Sequence, residues 1–183
     1  MDRKYLVGVV LVAVSAVIWS SAGIFTRGVA ADAWAVIFWR GVAAAGFTLA
    51  YLMLRGVLAK EIRQFTGPSL LISVLGASGT AAFIPAFKLS SVANVAVIWA
   101  AAPFLAAALA WIFLRERPAT RVVLASAATF GGVLILAWGS LRSGSVIGDL
   151  LALWMTLMMS SVFVVYRRWP ETPAGFPTVM ASL

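Results

Sequence analysis

Of the 14 lysines and arginines in this chain, Arg40 alone lies inside an otherwise uncharged apolar run. At a helix rise of about 1.5 Å per residue, it sits roughly 10 Å from the start of that run. A guanidinium at such depth in hydrocarbon is costly, so it must face a bundle interior, a wet cavity or the interface. None of the six carboxylates falls within an apolar run to pair with it. Two roles follow: contact with an anionic group of a substrate, or bonds to backbone carbonyls at a helix end.

Other polar and aromatic residues offer further contacts. Asn94, just beyond Lys88, either hydrogen-bonds a neighbouring helix or lines the outer mouth of a cavity. Lys88 reads as an anchor at the outer surface. Ser15, Trp19, Gly23 and Thr26 share one helical face, where Trp19 is the candidate for ligand contact and the small residues suit packing. Trp99 either faces a cavity or packs, whereas Trp111, close to Arg115, suits an interfacial belt. Pro103 removes a helix hydrogen bond in mid-span, giving a hinge or a static kink. Glu116, between Arg115 and Arg117, suits surface ion pairs. Met155, Met158 and Met159 suit flexible packing.

The missing residue types narrow the chemistry. Cysteine and histidine are both absent. Disulfides, thiol nucleophiles, imidazole bases and the usual zinc ligands are therefore excluded. No enzyme activity, cofactor or metal is expected. The formal charge of +8 is spread in short clusters between apolar runs rather than gathered in a patch, so nucleic acid is not an expected partner.

The elements that must position these residues are membrane helices. The 183 residues are 63% hydrophobic and 11% charged, against about 45–50% and about 25% in soluble domains. Apolar runs, uncharged except for Arg40, mark spans at about residues 5–26, 33–54, 68–87, 89–114, 122–141 and 150–166. The fourth, closed by Arg115-Glu116-Arg117-Pro118, is the longest run and the expected organiser of the bundle. Its small residues Ala93, Ala96, Ala100, Pro103, Ala107 and Ala110 are expected to pack against a neighbouring helix. Counted along the chain, the basic residues outside the spans fall as 2, 1, 3, 1, 3, 1 and 2. This alternation places the N-terminus and the even-numbered loops on the cytoplasmic side. The expected location is the cytoplasmic membrane, with many passes. Residues 176–183 read as the beginning of a seventh helix that has been cut off, or as an amphipathic tail lying on the membrane.

Several stretches resemble a known family. AVIWSSAGIFTRG in the first span, FWRGVAAAGFTLAYLMLRG in the second and FKLSSVANVAVIWAAAPFLAAALAWIFLRERPATR across the third and fourth carry the likeness. FGGVLIL in the fifth and GDLLALWMTLMMSSVFVVYRR in the sixth continue it. In that order and spacing they resemble the EamA-type permeases of the drug/metabolite transporter superfamily. The resemblance implies an all-α fold of ten spans, built from two five-helix repeats in inverted orientation. Residues 1–142 would be the first repeat, and residues 148–183 the start of a second.

The resemblance also implies a function. A small organic solute, a metabolite or drug, would be carried by alternating access around a site near the bilayer midplane. Trp19, Arg40, Asn94 and Trp99 are the candidate substrate contacts, and Pro103 is the candidate hinge. The expected partners are the lipid bilayer, a small-molecule substrate and, for a half-size carrier, a second copy forming a homodimer. A non-transporting assembly or sensing protein is the other reading.

Overall fold

A computed structural model describes residues 3–28, 32–143 and 145–183, and all regular structure among them is helical. The chain divides into two units, Met1–Ala30 and Ala31–Leu183. The first contains α1, a helix of 26 residues over Arg3–Gly28. Ser15 spends its hydroxyl within that helix, donating to the carbonyl of Val12 at 2.9 Å.

The second unit begins with α2 (Ala33–Leu54), which Asp32 caps by accepting the backbone N–H of Trp34 at 3.0 Å. Its far end is closed by Gly56, whose φ of 65° is open to glycine without penalty. There the N–H of Val57 reaches the carbonyl of Leu52 and that of Gly56 reaches Met53, the paired bonds of a Schellman stop. Val57 packs onto Leu52, the apolar contact that accompanies such a stop.

Next come the short α3 (Leu58–Arg63), then α4 (Gly67–Leu89), α5 (Val92–Ala100) and α6 (Ala102–Leu114). The unit continues with α7 (Thr120–Ser143), α8 (Val146–Arg168) and α9 (Gly175–Ser182). Four stretches of 21 to 23 residues are long and apolar enough to cross a membrane: α2, α4, α5 with α6, and α8. The described apolar parts of α1 and α7 are shorter, although both helices coincide with expected spans. Large apolar side chains such as Phe47, Leu54, Phe113 and Ile135 stand exposed on the outside of the unit. Such a surface suits lipid, not water. The chain is an all-α, polytopic membrane bundle.

The centre of the bundle is α4 against α8 rather than the α5–α6 span. Ala82, Ala86 and Phe87 of α4 meet Ala152 and Met155 of α8, and Val95 and Ile98 of α5 complete the buried cluster. A Cβ on Gly79 would stand 3.2 Å from Cβ of Met158, so the two backbones are close. In mid-span, Trp154 donates from Nε1 to the hydroxyl of Ser78 at 2.9 Å.

This corrects the expectation for the small face of the fourth span. Ala93, Ala96, Ala100 and Pro103 are exposed within this unit, and only Ala110 of that row is buried. Val95 and Ile98 point inward instead. The small residues that permit close approach belong to the partner helices, as Gly79, Ala82, Ala86 and Ala152, and the branched side chains of α5 fill the space over them.

Helix α9 enters the bundle between α2 and α4. Ser73 of α4 donates to the carbonyl of Pro177 at 3.2 Å, and Ala181 packs over Gly76. Gly41 of α2 lies under the carbonyl of Ser182, where any Cβ would collide. Pro177 and Val179 are buried there. A tail lying flat on the membrane would not make these contacts.

Candidate functional site

Arg40 projects from α2 toward α4, and its Cζ lies 5.4 Å from the ring centre of Phe83. Phe83 packs in turn beside Phe87, with ring centres 4.9 Å apart and planes tilted by 53°. A cation over an aromatic face is attracted by the ring quadrupole, which offsets part of the cost of leaving water. It does not replace hydrogen bonds. Nε of Arg40 is buried and has no partner among the described residues. The residue as a whole is half-buried.

Phe83 and Trp99 both pack against the buried cluster of α4, α5 and α8. Arg40 and Trp99 therefore border one core, from α2 and α5 respectively. Trp19 belongs to the other unit, and its side chain lies outside the described residues.

Asn94 stands at the first turn of α5, where Ser91 caps the helix by accepting the Asn94 backbone N–H at 3.0 Å. Its side-chain amide donates to the two carboxylate oxygens of Asp149 at 3.4 and 3.3 Å. The buried hydroxyl of Ser90 donates to the same carboxylate. Asp149 is only 8% exposed. It sits in the first turn of α8, where the helix dipole favours a negative charge. Gly148 makes the approach possible, since a Cβ there would stand 2.5 Å from the backbone of Leu89 and Ser90.

Asp149 corrects the expectation that no carboxylate lies within a span. The helix begins at Val146 rather than near Leu150, which draws Asp149 inside and buries it. Gly148 was the available signal, because a glycine allows another backbone to approach closely.

Where Pro103 interrupts the fourth span, α5 ends at Ala100 and α6 starts at Ala102. Ala101 bridges them with a tight bond from its N–H to the carbonyl of Ile98 at 3.1 Å. Ser160, fully buried in α8, donates to the carbonyl of Ala102 at 3.0 Å and braces the break from across the core.

Loop positions agree with the alternation of charge. Glu116, after α6, pairs with Arg167 at the end of α8 at 2.6 Å. Glu61, in α3, accepts the backbone N–H of Phe176. These contacts bring the connections after α2, α6 and α8 to one end of the unit. The Ser90–Asp149 contact brings those after α4 and α7 to the other.

No cluster of three or more potential metal ligands occurs among the described residues. Ionisable groups such as Arg40 and Asp149 inside a helical membrane bundle are candidates for a functional site. The comparison with protein families makes this specific. Residues 6–138 match the EamA-like transporter family, so the chain belongs to that family. No match was found among curated proteins or among solved structures.

Proposed function

We propose that the chain contributes the first five-helix repeat, residues 1–142, and the opening of a second, from residue 148, to a carrier of small organic solutes in the cytoplasmic membrane. Its N-terminus and even-numbered loops face the cytoplasm. The observation that carries this reading is Arg40, a cation inside an apolar bundle with a buried Nε that no described protein group satisfies. A substrate carboxylate or phosphate would supply the missing acceptor, while Phe83 and Trp99 would border its apolar part.

In this reading α8 moves as part of the second repeat against the first. Between its ends α8 donates from Trp154 to Ser78 and from Ser160 to Ala102, and a polar contact ties each end: Asp149 to Ser90 and Asn94, and Arg167 to Glu116. Alternating access requires the end contacts to loosen in turn, with Pro103 and Ala101 as the bend in the span they flank. Asn94 then has two duties, closing the outer end and meeting solute there.

The test is counterflow in proteoliposomes, with a panel of small organic anions, for the wild type, Arg40→Ala and Trp19→Ala. Both variants should lose flux while their membrane abundance stays near that of the wild type. Parallel loss of flux and abundance would assign the two residues to folding and remove the substrate role.

A further inference from the structure

At the end of the bundle that carries Arg115, Arg117, Arg167 and Arg168, α4, α6 and α8 enclose an open groove of about 360 Å³. Its walls are apolar: Leu71 and Leu75 from α4, Leu109 and Phe113 from α6, and Val164 from α8. Arg168 closes its end, with its guanidinium 5.4 Å from the ring centre of Trp169. The groove opens sideways, since Phe113 is 72% and Leu71 44% exposed on the lipid-facing surface.

We propose that this groove is a binding site for an anionic phospholipid. One acyl chain lies along the leucine, phenylalanine and valine wall, and the phosphate meets Arg168. Charge selects the occupant. Arg115, Arg117, Arg167 and Arg168 lie at this end, where Glu116 is engaged by Arg167 and Glu61 by the backbone of Phe176. Arg168 forms no ion pair among the described residues. A zwitterionic lipid would bring its own cation into this field, whereas an anionic one neutralises it. Trp169, at the same level, suits the headgroup region where amphipathic rings settle. A soluble solute is disfavoured, because the groove opens on the apolar outer surface and, away from Arg168 and Trp169 at its end, its one polar side chain is Ser161, which gives its hydroxyl to Leu157 at 2.8 Å.

Native mass spectrometry of the full chain, released from micelles holding equal phosphatidylglycerol and phosphatidylcholine, tests the site. The wild type should retain phosphatidylglycerol about fivefold over phosphatidylcholine, the ratio corresponding to about 1 kcal/mol for one basic residue near a lipid surface. Arg168→Gln should bring the ratio to about one. Arg63→Gln, which removes a cation from the same end but outside the groove, should leave it unchanged. Leu109→Trp, which fills the groove, should lower retention of both lipids while helicity stays as in the wild type. Equal retention by the wild type overturns the proposal, as does an equal loss of preference in Arg63→Gln. Displacement of the lipid by inorganic phosphate alone also overturns it, since that outcome describes a free-anion site.

Discussion

The carboxylate of Glu61 in α3 accepts the backbone N–H of Phe176 at 2.6 Å and so caps α9 from a helix 115 residues earlier. It stands against Gly175, where a Cβ would lie 2.8 Å from the same oxygen. The capping group for this helix is thus supplied by a distant segment, not by its own first residues.

Removing that acceptor should loosen α9 first. Glu61→Ala should cost about 1 kcal/mol, as other lost caps do, and Glu61→Gln less. Hydrogen exchange would show it: amides over 176–182 should exchange faster while those of α8 stay protected. Uniform acceleration across both helices would show that Glu61 supports the whole bundle instead.

Gly148 should tolerate no side chain. Gly148→Ala drives a methyl into the backbone of Leu89 and Ser90 and should destabilise by about 1–3 kcal/mol, the range for overpacking. Gly131→Ala in α7 meets nothing within 4 Å and should be neutral or slightly stabilising. Thermal unfolding of the two variants in one detergent compares them directly.

The carboxylate at Asp149 should be coupled to Ser90. Asp149→Ala removes the acceptor shared by Ser90 and Asn94 and should cost about 1–3 kcal/mol, and Ser90→Ala, which leaves Asn94 on the carboxylate, should cost less. The double variant should cost less than the sum, with a coupling of at least about 0.5 kcal/mol. Strict additivity would mean that the contact contributes nothing. By contrast Glu116→Gln, which breaks an ion pair with side chains 46% and 64% exposed, should stay within about 0.5 kcal/mol of wild type.

Arg40→Met separates fold from function most sharply. It keeps an unbranched stem reaching about as far as Nε and removes a buried, unsatisfied donor, so thermal stability should rise or hold. Transport should fail in the same protein. Stability and flux falling together would place Arg40 in the scaffold.

Much of the fold was legible because hydrophobic length and charge act over whole spans. Each of the six expected spans coincides with a helix or, at Pro103, with two, and the ends that share a contact are those that the arginines and lysines paired. The finer features depend on contacts distant in sequence. Nothing in LAKEIR announces α3, which forms where Val57 and Leu58 settle on Leu52 and Val179. The burial of Asp149 depends on a backbone some sixty positions away. The inward face of α5 was misjudged because small residues mark a close approach without saying which helix contributes them. Of the candidate site, the position of Arg40 was readable from its isolation in an apolar run, but its stacking on Phe83 was not.

The central packing also fixes an order of events during synthesis. The faces that α4 and α5 bury are completed by Ala152 and Met155, and the glycines of α2 and α4 are covered by Ala181 and Ser182. Each of these residues is synthesised after the helix it covers, at about 5–20 residues per second. Helices inserted early must therefore wait in the lipid with their contact faces open, and a nascent chain halted near residue 140 contains no native centre. Closure of this centre therefore waits on α8 and α9, however early the helices they cover have entered the membrane.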